Sequence, residues 1–263
     1  MILLVIGPYL YYTRLVYLHI HSSAAVTQAG PEFGAKPYVY DFWIPVASGF
    51  LMYHSKKWIT ACLYRIVHAI SIRLPTENDD MFDFKVGKSA SKAWNALFHI
   101  FAALSAYLVM RGKPWHPWFL GGTGELQDGF LNMPFSEMDY SGYLFGLIIF
   151  GHPLQNAFSH FFIHERKPDF AEMSLHHLVH LCVSSSYLMA NIIPVGIFIG
   201  FIHDISDILI SVAKGFHLAG YETTSVVTFL GAQVLWLTMR LMALPTIIRF
   251  LIDLRYAEDR AYL

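Results

Sequence analysis

The chain has 263 residues, 55% of them hydrophobic and 14% charged, with 18 Lys and Arg against 19 Asp and Glu. Soluble domains carry about 25% charged residues, so the composition excludes an ordinary soluble domain and, with its long apolar runs, indicates a polytopic membrane protein built as one bundle. A net charge of −1 gives no global field to attract nucleic acid, and no nucleic-acid partner is expected.

Residues 2–20 are apolar enough to span or lie in the interface, although Pro8 and Arg14 interrupt them. No basic segment precedes that run, which argues against a cleaved signal peptide. A polar link over 21–37 leads to a short hydrophobic stretch, 38–53, bearing Asp41, Pro45 and Gly49. Residues 55–74 alternate Lys56, Lys57, Arg65 and Arg73 with large apolar side chains, a pattern for an amphipathic helix on the membrane surface or a packed connecting helix. The polar segment 75–92 reads as a loop outside the bilayer, and 93–110 as a span. A long connection over 111–139 is rich in Gly, Pro and Trp; its GGTG lacks the following strand and Lys of a phosphate loop. Residues 140–163 form the next span, in which His152, Asn156, Ser159 and His160 share one helical face, either interhelical glue or a cavity wall. The last span is 226–244, with Arg240 near its end as an interfacial snorkel or an inward counter-ion. The excess of basic residues places the 54–92 segment and the Glu165–Arg166–Lys167 turn on the cytoplasmic-type side. Cys62 and Cys182, both in apolar context, read as small buried hydrophobes.

The chemistry concentrates in 169–214, DFAEMSLHHLVHLCVSSSYLMANIIPVGIFIGFIHDISDILISVAK, where two spans are split by Pro194. The first carries His176, His177 and His180; the second carries His203, Asp204 and Asp207. An acid at the centre of a transmembrane helix costs about 2.5–3.5 kcal/mol, so both should face inward. His176 and His180 lie one turn apart, as do His203 and Asp207. Two antiparallel helices joined at Pro194 are expected to bring the groups to comparable depths. A carboxylate bonded to an imidazole fixes its tautomer, and the other ring nitrogen can take a proton or attack an acyl group. Such a set suits acyl transfer between lipid substrates and needs no metal; a di-iron oxygenase would leave the two acids unused.

DFAEMSLHHLVH followed by HDISDILISVAK resembles the Lag1 motif of ceramide synthases, members of the TLC (TRAM, Lag1, CLN8) membrane family. GKSASKAWNALFH around Trp94, KPW at 113–115 and MRLMALP at 239–245 resemble the family's flanking segments, so the likeness covers about 85–250. It leaves 1–75 as N-terminal apolar and amphipathic helices and 251–263 as a short tail. The resemblance implies an all-α membrane protein of six to seven transmembrane helices bundled around a central cavity. It implies N-acylation of a sphingoid base by acyl-CoA as co-substrate, with no bound cofactor or metal, in the endoplasmic reticulum. His176, His177, Asp204 and Asp207 are the implied catalytic quartet; His203, Asn191, His152, Asn156, His160, Trp94, Arg240 and Lys214 are candidate substrate contacts. Lys88, Lys92, Arg166, Lys167 and Lys214 are candidates for the CoA phosphates. Expected partners are membrane lipids and the two substrates, with a homodimer or a multi-subunit membrane complex as the assembly.

Ser211 stands where the family usually has Glu, His180 where Thr is usual, and Pro194 where Arg is usual. The chain also runs 18 residues past Pro245, where the resemblance implies a further transmembrane helix. These departures support an alternative, a catalytically idle subunit or lipid-binding component of a larger complex, for which a mitochondrial inner membrane is the alternative location.

Overall fold

The structure is a computed structural model and describes residues 39–124, 128–129, 139–163, 166, 168–189 and 192–243. The sequence readings at 2–37, Asn191, Lys167 and 244–263 lie outside these residues. Among the described residues the secondary structure is all helical: α1 (Trp43–Ile70), α2 (Asp79–Met110), α3 (Tyr140–Phe162), α4 (Phe170–Met189), α5 (Ile193–Leu218) and α6 (Glu222–Trp236), with a π-helical turn over Leu237–Ala243. Asp79–Met110, Ile193–Leu218 and Glu222–Leu241 have both the length and the apolar character to cross a membrane. α3 and α4 have 23 and 20 residues, but their polar and imidazole side chains dilute the apolar surface.

Three sequence expectations change. The stretches 38–53 and 55–74 join into one 28-residue helix that continues through His54 and Ser55, and Pro45, its third residue, sits where its missing N–H costs no helical hydrogen bond. The loop expected over 75–92 is largely the first half of α2. Asn78 Oδ1 accepts from the Met81 N–H (2.8 Å), and Asp79 and Asp80 suit the positive end of the helix dipole. Its charges occupy the outer face, while Phe82, Val86 and Ala90 form a buried stripe at four-residue spacing. The two later helices are separate as expected, but the break falls before Ile193, so that Pro194 is the second residue of α5, a position that tolerates it. In addition, Cys62 is exposed and Cys182 half-buried rather than both buried.

The described chain packs as two compact units. One comprises Met1–Tyr53 and Val109–Phe198. Within it Gly49 of α1 lies against Gly151 of α3, so that a Cβ on Gly49 would meet the Gly151 carbonyl oxygen at 2.8 Å. Ser48 Oγ donates to the Ile148 carbonyl (2.9 Å) across the same crossing, the small-residue packing that lets membrane helices approach closely. Gly146 and Gly142 admit Leu188 and Ile193 likewise, and Leu147, Leu188 and Ile193 are fully buried. Asp139 caps α3 through Ser141 and pairs with Lys113 Nζ (2.9 Å). Burial raises its pKa, but the Lys113 and Ser141 hydrogen bonds outweigh it and hold the carboxyl below its ordinary range.

The other unit comprises His54–Leu108 and Ile199–Leu263. Its core is Val67, Phe82, Val86 and Ala90, with Leu63 and Tyr64 packed on them. The Ser89 hydroxyl joins α2 to α5 at the Gly215 carbonyl (2.9 Å), and the Ser225 hydroxyl joins α6 to α5 at Ala213 (2.9 Å). On α6, Val226, Val227, Leu230 and Val234 are more than half exposed, which suits a helix solvated by lipid chains.

Candidate functional site

In the first unit α4 presents the histidines. The His177 ring lies 5.0 Å from that of His160 on α3 and 5.6 Å from that of His176; His176 and His180 are 6.2 Å apart. His177 is half-buried, His176 and His180 exposed. His160 is fixed most firmly. Its imidazole stacks on Phe170 at 4.6 Å and 17°, and its Nε2 lies 3.0 Å from Ser174 Oγ. The Ser174 hydroxyl donates its hydrogen to the Phe170 carbonyl (2.6 Å), so the ring must be the donor, and His160 carries its proton on Nε2. His160 thus joins the His176–His177 group. His152 and Asn156, from the same polar stripe, instead bond each other one turn apart (3.1 Å).

In the second unit α5 presents His203, Asp204 and Asp207. His203 Nδ1–H donates to the Ile199 carbonyl (2.8 Å), which leaves Nε2 as the acceptor of the neutral ring. Asp204 Oδ1 lies 2.8 Å from His99 Nδ1 on α2, with side chains 17% and 14% exposed. Asp207 Oδ1 accepts from Arg240 Nη2 (3.0 Å), and the same Nη2 lies 3.4 Å from Ser206 Oγ. The Ser206 hydroxyl donates to the His203 carbonyl (2.8 Å). Arg240 is therefore a counter-ion rather than a snorkel. It is carried on a π-helical turn, a distortion common at functional positions, and its guanidinium sits 5.7 Å over the Trp236 ring.

His99 is the residue that sequence reasoning missed. It ends the segment GKSASKAWNALFH, and an imidazole inside an apolar span was the available signal. Trp94 lies one turn from Phe98 (6.4 Å), whose ring meets His99 edge to face (5.5 Å). Lys214 is exposed beside Gly215, Lys88 sits 5.1 Å over the Phe84 ring, and Arg166 sits 5.3 Å over Phe170. Among the described residues no set of three or more His, Cys, Asp or Glu is placed to hold a metal ion. The chemistry available is acid–base and nucleophilic: imidazoles in defined tautomers on α3 and α5, and two carboxylates with different kinds of basic partner.

Residues 88–260 match the TLC domain family (TRAM, LAG1, CLN8). The chain is 23% identical over 214 residues to ceramide synthase hyl-2 of Caenorhabditis elegans, covering 80% of this chain and 63% of that protein. It is 26% identical over 177 residues to ceramide synthase 3 of Mus musculus, covering 66% and 44%. It is 24% identical over 168 residues to ceramide synthase LOH2 of Arabidopsis thaliana, covering 64% and 54%. The chain spans about half the length of the curated relatives it matches. With more than half of its residues inside the match, and with helices long and apolar enough to cross a bilayer, the chain belongs to the TLC-domain family of integral membrane proteins.

Proposed function

We propose that the protein is a ceramide synthase-like N-acyltransferase that moves a fatty acyl group from acyl-CoA to the amine of a sphingoid base within the membrane. The observation that carries the reading is the retention of both polar groups, His176–His177 and Asp204–Asp207, at costly positions in a chain similar to ceramide synthases. In this reading six to seven transmembrane helices enclose a central cavity, and the protein works in the endoplasmic reticulum. His176 or His177 acts as the base or transient acyl carrier, and the two acids serve the proton transfers. His152, Asn156, His160, Trp94, Asn191, His203 and Arg240 contact substrate, and Lys214 with its basic neighbours meets the CoA phosphates.

Purified protein in nanodiscs, given a long-chain acyl-CoA and sphinganine, is expected to yield N-acyl product detectable by mass spectrometry. His176→Ala and Asp204→Asn should each lower the yield at least about 10²-fold, the usual contribution of an acid–base group. Well-folded protein that gives no product would overturn the reading.

A second reading has one structural observation in its favour. Asp204 and Asp207 each already have a basic partner, His99 and Arg240, so the acids have a use without catalysis. Under it the protein is an idle TLC-fold subunit or lipid-binding component of a larger membrane complex, for instance in the mitochondrial inner membrane. Copurification of stoichiometric partner subunits with inactive protein would favour it.

A further inference from the structure

We propose that the cavity at the α5–α6 turn holds the headgroup of a phosphatidylethanolamine lipid, a site that does not depend on the acyl-transfer reading. The cavity and its walls lie within the second unit. One helix long and apolar enough to cross a membrane ends at Leu218 and the next begins at Glu222, so the turn between them falls at headgroup depth. That turn is fastened to the chain between α1 and α2. The Ile72 N–H donates to the Ala219 carbonyl (2.8 Å), and the Tyr221 hydroxyl donates to the Ile70 carbonyl (2.6 Å). Gly220, at φ +89°, lies so close that a Cβ would meet Ile72 at 3.0 Å. The walls are thus held by the fold itself, and a preformed cavity pays little ordering cost on binding. Its volume, about 570 Å³, lies in the range of small-molecule sites.

The lining carries one formal charge of each sign, Lys85 on α2 and Glu222 at the start of α6, with His217 and Thr223 also on it. Lys85 Nζ pairs with the buried Glu77 as well. A headgroup of net negative charge would therefore meet a carboxylate and a lysine whose charge is already offset. A zwitterion meets neither difficulty. Its phosphate accepts from Lys85, whose ammonium has three hydrogens to share, and from the His217 ring and the Thr223 hydroxyl. Its ammonium donates to the Glu222 carboxylate. Ethanolamine can make that last bond, whereas the quaternary nitrogen of choline has no hydrogen to give. Leu74 and Leu218, in the same lining, supply apolar surface for the glycerol and the first methylenes of the chains.

The test titrates the full-length protein, delipidated in detergent, with dioleoyl phosphatidylethanolamine, phosphatidylcholine and phosphatidylglycerol, and reads bound lipid by native mass spectrometry. Wild type should bind one phosphatidylethanolamine about tenfold more tightly than either of the others, the usual worth of a hydrogen bond to a charged group. Glu222→Gln should lose that preference, while His217→Ala should weaken all three lipids alike. Both side chains are exposed, and melting of the lipid-free variants should match wild type, which separates a lost site from a lost fold. Equal binding of the three lipids by wild type, tightest binding of phosphatidylglycerol, or an undiminished preference in Glu222→Gln would each overturn the site. None of these readouts involves acyl transfer, so an inactive protein that still selects phosphatidylethanolamine overturns only the enzymatic reading.

Discussion

The Glu77 side chain is only 5% exposed, in the turn between α1 and α2, where it pairs with Lys85 Nζ and accepts from the Leu74 N–H (3.2 Å). The Lys85 hydrogen bond, then that of Leu74, pulls its pKa below the ordinary glutamate value against the opposing effect of burial. A carboxyl depressed in the folded state adds stability above its unfolded pKa and loses it as pH falls through the folded value. Wild type should therefore unfold at a higher temperature than Glu77→Gln at neutral pH, and the difference should vanish below the carboxylate range. A gap that persists at the lowest pH would sink this account. For the Asp207–Arg240 pair, removing either partner leaves the other charge unmatched. With Asp207 36% exposed the cost of Arg240→Gln or Asp207→Asn should be about 1–2 kcal/mol, less than for a fully buried pair. The double variant Asp207→Asn/Arg240→Gln should cost less than the sum of the two, which unfolding in denaturant would measure. At this scale the HHLVH and HDISD groups were legible, because clustered imidazoles and acids stand out in apolar helices. His99 carried only the weaker signal of one imidazole in an apolar span, with no second polar group beside it, and its partner lies 105 residues away.

The two glycines at the α1–α3 crossing make an element-scale contrast with Gly87. A Cβ on Gly151 would collide with Ser48 Oγ and approach the Gly49 nitrogen at 2.5 Å and the Pro45 carbonyl at 2.9 Å. Backbone cannot yield cheaply there, so Gly151→Ala should destabilise by about 1–3 kcal/mol. A Cβ on Gly87, inside α2, would meet nothing within 4 Å, and Gly87→Ala should stabilise by about 0.5–1 kcal/mol through helix propensity alone. Melting curves of the two variants should shift in opposite directions; a common direction would refute the crossing as the cause. Helix identity was legible where apolar content was high, as in 93–110. It was misjudged over 79–92, since nine of those fourteen residues are charged, Gly or Ser, and the composition concealed a buried stripe of only Phe82, Val86 and Ala90. Helix α1 was read as two pieces because the composition changes at Ser55 from an apolar stretch to one studded with Lys56, Lys57, Arg65 and Arg73, a change of surroundings along one continuous helix.

For the whole molecule, composition with its long apolar runs indicated a polytopic membrane protein, since 14% charge leaves too little polar surface for water to solvate a bundle of this length, and the Lag1 resemblance implied that it is all helical. The partners of the two acids also differ in when they are made. His99 precedes Asp204 by 105 residues, so the imidazole is already in the membrane when α5 is delivered there. Arg240 follows Asp207 by 33 residues, which at about 5–20 residues per second means roughly 2–7 s during which that acid has no guanidinium to meet. Chains arrested between Asp207 and Arg240 should accordingly crosslink to the insertion machinery more strongly than chains extended past Arg240, and Asp207→Asn should abolish the difference. The ion pair is then also a clock: the span that carries Arg240 releases the one before it.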